Sequence, residues 1–187
     1  MKNILTLILL GFVFIGCTTK VETDLQPYVT LHQNEMQDTK INFLGIEDQR
    51  STKIAATILD DGKIKEEYPL NTDVKTWYTQ AFTRELDNAK MIHDANKSDI
   101  DVKINIKNIS AEYLKYSLDK KNMKAKIQIE LVITKGKTIN RSNIEIKQSI
   151  FKPMILDAEG FESIINESMR SSVSKTIEIL IKKLKAE

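Results

Sequence analysis

The sequence predicts an α+β domain: a two-layer fold in which a mostly antiparallel sheet of about five to six strands carries two long helices on one face. Three observations predict it. Apolar residues alternate with polar ones at 100–106, 125–133 and 144–150, the signature of half-buried strands. Asp61-Gly62 and Gly136-Lys137 interrupt paired strand-like runs where tight hairpin turns require positive φ. Two longer stretches, from 74 and from 159, place apolar residues at helical spacing.

Each element has its own local reason. Residues 28–40 read as a short strand at 28–31 followed by a loop, and 41–46 as an apolar run of strand length. Residues 53–59 and 63–68 flank Asp61-Gly62 as a hairpin. Asn71, Thr72 and Asp73 then offer side-chain oxygens to cap a helix, and Val74, Trp77, Tyr78, Ala81, Phe82, Leu86 and Ala89 make its inner face as far as Lys90. In the next strand Ile100, Val102, Ile104 and Ile106 share one face. The phase slips at Asn108-Ile109, which predicts a bulge before Ala111 and Tyr113. A polar turn at 119–122 leads to Ala125, Ile127, Ile129, Leu131 and Ile133; after Gly136, Ile144, Ile146 and Ile150 resume the alternation. Asp157-Ala158-Glu159 opens the final helix, whose stripe runs from Phe161 to Leu184. Lys182, Lys183 and Lys185 in its last turn complement the helix dipole.

The first sixteen residues differ in kind from the rest. Lys2 precedes an apolar run from Ile4 to Ile15 that has the length of a signal-peptide core and falls short of the ~20 residues of a bilayer-spanning helix. It ends at Phe14-Ile15-Gly16-Cys17, a lipobox in which a small residue precedes the cysteine that is acylated and becomes the new N-terminus. Phe14 departs from the leucine usual at the first position of that motif. The domain layout is therefore a signal at 1–16, a lipidated tether at 17–27 and one α+β domain at 28–187. Cys17 is the only cysteine, so the domain contains no disulfide, and its lipid is the only covalent group expected. Thr18, where an aspartate would signal inner-membrane retention, points to the outer membrane, with the domain on the periplasmic side.

Composition narrows the chemistry. Formal charge is +2, and about +1 once Lys2 is removed, too little for a long-range field that attracts nucleic acid. The chain holds two histidines, His32 and His93, and His93-Asp94 reads as a surface loop. No Gly-x-Ser-x-Gly elbow, Gly-rich phosphate loop or His-x-x-x-His pair occurs, and Asp60-Asp61 is turn chemistry, so neither an enzyme nor a metal site is expected. Asp48 and Arg50, in Glu47-Asp48-Gln49-Arg50, read as a structural turn motif whose carboxylate and guanidinium cap and pair locally.

Gly45-Ile46-Glu47-Asp48-Gln49-Arg50, the hairpin at Asp61-Gly62 and the helix from Val74 resemble the YajG family of bacterial lipoproteins. The resemblance extends as pattern over residues 41–180. It implies an envelope lipoprotein with a small α+β domain, no recognised catalytic residues and no settled biochemical role. The same plan of sheet and helices recurs in auxiliary lipoproteins of envelope lipid-transport systems, an analogy of fold alone.

Two helices cover only one face of a sheet, so the other face meets solvent or a partner. A two-residue turn at Gly136-Lys137 sets Lys135 opposite Thr138, Ile129 opposite Ile144, Ile127 opposite Ile146 and Ala125 opposite Gln148. On the polar side the same register sets Gln128 opposite Glu145 and Lys126 opposite Lys147, with Lys103 or Lys107 on the adjoining strand as a third positive charge. These four lysines are the candidate surface for an anionic lipid or an envelope protein partner. The expected function is a non-catalytic, membrane-anchored binding or scaffold module. The alternatives are a carrier that holds a lipid or amphiphile between sheet and helices, a transport-accessory lipoprotein, and a surface-displayed adhesion lipoprotein.

Overall fold

The central strand of the sheet collects three neighbours at once, and that sets the architecture. The computed structural model describes residues 36, 39–94, 98–115, 122–155 and 157–186. The signal, Cys17, the tether, the strand expected at 28–31 and most of the turn at 119–122 lie outside them. In chain order the elements are β1 (Lys40–Asp48), β2 (Ile54–Asp60), β3 (Lys63–Pro69), α1 (Val74–Asn88), β4 (Ile92–His93), β5 (Ile100–Lys115), β6 (Met123–Lys135), β7 (Thr138–Ile150) and α2 (Glu159–Lys185).

Along one edge β5 pairs antiparallel with β6 over its whole length, and β6 pairs antiparallel with β7. Along the other edge β1 pairs with the first half of β5 and β2 with the second half, both parallel. β3 and the two-residue β4 extend this side outward. The sheet is thus mixed and seven-stranded. This corrects the expectation of a mostly antiparallel sheet of about five to six strands. Hairpins announce themselves in sequence, whereas β1 and β2 reach β5 through a crossover that contains β3, α1 and β4.

Local chemistry explains the turns. Asp61 and Gly62 both have positive φ (49° and 73°), as a type I′ hairpin requires. At the second hairpin Gly136 has φ 56° and Lys137 is not in that region, which agrees with a type II′ turn. The register is the one the alternation predicts: Lys135 faces Thr138, Ile129 faces Ile144, and Ile127 faces Ile146. The phase slip in β5 is a bulge between Ile106 and Asn108. A second bulge, between Phe43 and Gly45, ejects Leu44 into solvent and uses the φ of 96° open to Gly45.

Both helices lie on the face bearing Ile104, Ile106, Ile127 and Ile129, with α2 across β5, β6 and β7 and α1 against β1 and α2. Asp73 caps α1 by accepting from the Thr76 N–H at 3.1 Å. Between the layers Tyr78, Phe82 and Phe161 are at most 1% exposed, and each such burial contributes about 1.5–3 kcal/mol. The polar residues of the α2 stripe are satisfied on the spot: Thr176 donates to the Ser172 carbonyl (2.7 Å), and the Ser172 and Tyr78 hydroxyls meet at 2.8 Å. Ser168 donates to Gln148 of β7 at 2.9 Å, and Lys183 to Asn140 at 3.1 Å, which fixes α2 along the full length of β7.

Candidate functional site

The face of the sheet away from the helices is built by the same alternation that builds the core. β5 contributes Lys103, Asn105, Ser110 and Glu112; β6 contributes Lys124, Lys126, Gln128 and Glu130; β7 contributes Arg141, Glu145, Lys147 and Ser149. Three carboxylates organise this face. Glu47 accepts from Lys103 at 2.7 Å and from Gln49 at 2.7 Å. Glu130 accepts from Asn105 at 2.7 Å and pairs with Lys107 and Arg141, each at 3.3 Å. Glu145 pairs with Lys126 at 3.1 Å and with Lys147 at 2.5 Å, and accepts from Gln128 at 3.0 Å. Hydrogen bonds to the charged form hold each carboxyl below its ordinary 4.5: from Lys103 for Glu47, from Asn105 for Glu130 and from Lys147 for Glu145.

The four candidate lysines therefore fall into two groups. Lys126 and Lys147 are direct cross-strand partners on one face, as the register predicts. Lys103 and Lys107 lie toward β1 and are engaged there, Lys107 also donating to Gln49 at 2.6 Å. The third lysine beside Lys126 and Lys147 is Lys124. A shallow depression of about 230 Å³ is lined by Ser110, Glu112, Lys124, Lys126, Lys147 and Ser149. Lys124 sits opposite Glu112 on β5 and Ser149 on β7, and the signal that finds it is the register itself, counted one alternation further from the turn.

Asp48 and Arg50 form a two-pronged pair, Nε and one terminal nitrogen of the guanidinium each donating to a carboxylate oxygen at 2.8 Å. The Arg50 side chain is only 8% exposed, and its guanidinium holds the Asp48 carboxyl below the usual range. The pair stands where the chain leaves β1 and re-enters as β2, while the Gln49 N–H extends the ladder by donating to Ile106 at 2.9 Å.

His93 departs from its expected surface loop. It lies in β4 beside β1, and its Nδ1 accepts from the Phe43 N–H at 3.1 Å. No group of three metal-ligating side chains occurs among the described residues, and none of their helices is long and apolar enough to cross a membrane. Two hollows lie among the described residues. A groove of about 450 Å³ of mixed character is walled by Ile58, Tyr113, Phe151, Met154 and Ile155 together with Lys65, Glu66, Lys115 and Asn122; a smaller one of about 160 Å³ lies among Ile41, Phe43, Leu86 and Met91.

No protein-family model matches the chain, and no curated protein matches it. A solved structure shares its fold. A Xanthomonas campestris protein of the DUF330 family superposes with a TM-score of 0.53 at 9% identity, over 90% of this chain and 96% of its own. Rare lipoprotein B from Shewanella oneidensis aligns over 70% of this chain and 96% of its own, at 12% identity and a TM-score of 0.49. At 9% identity the Xanthomonas structure speaks for shared fold and nothing further.

Proposed function

We propose that this chain is a non-catalytic, lipid-anchored binding module of a bacterial envelope, YajG-like in kind. Cleavage after Gly16 exposes Cys17 for acylation, and Thr18 favours the outer membrane with the domain in the periplasm. The observation that carries the binding role is the sheet face that no described helix covers. Three strands of up to sixteen residues present a continuous polar surface that neither helix touches, with a depression flanked by Lys124, Lys126 and Lys147. Three ammonium groups beside two carboxylates suit an acidic protein segment or an anionic lipid group, and salt weakens such contacts.

Photo-crosslinking in cells tests this. A photoreactive residue at Ser149, on the open face, should capture a discrete partner that the same probe at Glu167, on the outer side of α2, does not. Equal or absent adducts at both positions would remove the open face as the binding surface.

A carrier role is the alternative, favoured by the groove at Ile58, Tyr113, Phe151, Met154 and Ile155. In that reading an amphiphile would lie with its chain against the apolar wall of the groove and its polar end toward Lys65 and Lys115. Native mass spectrometry separates the readings: a co-purifying lipid supports the carrier, and a bare mass supports the binding module.

A further inference from the structure

The point where the tether joins the domain has a marked chemistry. Met36 donates to the Ala89 carbonyl at 2.9 Å, which places the incoming chain at the C-terminal end of α1 and beside the start of β1. Strand register then fixes what shares that end. Asn42 pairs with Asp101, Asp101 with Thr134, and Thr134 with Ile139. Three strand spacings of ~4.8 Å thus put the tip of the β6–β7 hairpin within roughly 15 Å of the start of β1. The bond from Lys183 to Asn140 brings the last turn of α2 to the same place.

This end is basic with an apolar point. The hairpin tip reads Lys135-Gly136-Lys137-Thr138-Ile139, every residue of it exposed, and Ile139 is 58% exposed. Lys182 and Lys185 stand exposed in the final turn of α2. Asp87, Asp94, Asp99 and Asp101 also lie at this end, on the α1, β4 and β5 side, and Asp101 accepts from Asn42 at 2.8 Å. Lys40 and Lys90 stand exposed on that same side, while Lys135, Lys137, Lys182 and Lys185 gather under β6, β7 and α2.

The length of chain before Met36 bears on which end of the domain faces the bilayer. Eighteen residues lie between Cys17 and Met36, and a flexible chain of that number would span about 25 Å root-mean-square. The opposite end of β5 lies roughly 50 Å further on, at ~3.3 Å per residue. We infer that the tether end is the membrane-facing base of the domain, and that the Lys135–Ile139 hairpin tip and the last-turn lysines of α2 rest on anionic phospholipid headgroups of the bilayer that holds the Cys17 lipid. The inference rests on the lipid-anchored reading. It also stands the depression at Lys126 clear of that bilayer by roughly 30 Å, because its partner Ser110 is ten residues along β5 from Ile100.

The test uses the full chain, matured and lipidated in cells, then reconstituted into vesicles of phosphatidylethanolamine and phosphatidylglycerol (3:1) that carry a headgroup-attached quencher. A fluorophore is placed through Ile139→Cys at the base or Met154→Cys at the far end. Quenching at 139 should exceed that at 154 several-fold. It should drop toward the far-end level in phosphatidylcholine vesicles, and also when Lys135, Lys137, Lys182 and Lys185 are changed together to Glu or, more mildly, to Gln. Equal quenching at the two positions, or quenching at 139 that ignores all these changes, would overturn the inference while leaving the anchor intact. If the fluorophore reacts at Cys17 and the chain washes off the vesicles, the anchor itself fails and the inference falls with it.

Discussion

The Glu145 carboxylate bridges Lys126 and Lys147, 3.1 Å from one ammonium and 2.5 Å from the other. Strand register sets these two lysines face to face, an arrangement that costs a few tenths to ~1 kcal/mol when nothing intervenes. Glu145 offsets that cost and at the same time masks the positive charge of the depression.

Removing the bridge should unmask it. Glu145→Gln is expected to strengthen salt-sensitive retention on a phosphate-bearing matrix several-fold, with little change in stability because all three groups are solvated. Lys126→Ala with Lys147→Ala should abolish the gain. Retention that does not change with Glu145→Gln would separate the lysines from anion binding.

The Asp48–Arg50 pair gives an asymmetric prediction. Asp48→Ala leaves a guanidinium that is 8% exposed without its carboxylate, at an expected cost of about 2–3 kcal/mol in urea unfolding. Arg50→Met removes the charge together with its need for a partner and should cost clearly less. Equal losses would mean that the ion pair matters less than the packing of the side chain.

Gly160 in the first turn of α2 is fixed by contact. A Cβ there would sit 2.7 Å from Cγ2 of Ile155, a branched side chain with little freedom to retreat. Gly160→Ala should therefore destabilise by about 1–2 kcal/mol, despite the better helix propensity of alanine. Adding Ile155→Ala should recover part of the loss in a double-mutant cycle. Two independent, additive losses would contradict the contact.

Acid sensitivity follows from Glu130. Its carboxyl is held below 4.5 in the folded state, chiefly by the Asn105 amide and then by Lys107 and Arg141. A depressed carboxylate contributes stability above pH 4.5, and that contribution is lost as pH falls through the folded value. Glu130→Gln should lower stability at pH 7 by ~1 kcal/mol or less and narrow the gap from wild type below pH 4. A gap that widens in acid would reverse the sign of the argument.

What the sequence made legible was local. The β6–β7 register could be counted outward from Gly136-Lys137, α1 and α2 follow their stripes, and the β5 bulge shows as a phase slip at Asn108-Ile109. What escaped was long-range. Nothing near Ile46 or Ala56 announces that β1 and β2 lie end to end along one edge of β5, because a parallel pairing closed by a crossover leaves no turn to read. The neighbours of Lys103 and Lys107 were hidden for the same reason: Glu47 at the end of β1 and Gln49 just after it lie more than fifty residues away. Two-residue β4 is too short to carry any period, so His93 read as loop. Lys124, by contrast, was within reach of the register already counted.

An anchored module has Cys17 as its first mature residue. Mass spectrometry of the N-terminal peptide from membrane-extracted protein should find a chain that begins at Cys17 with its sulfur and amino group carrying lipid, and that is lost from membranes on Cys17→Ser. A mature chain that retains residues 1–16, or one with an unmodified Cys17 thiol, would contradict it.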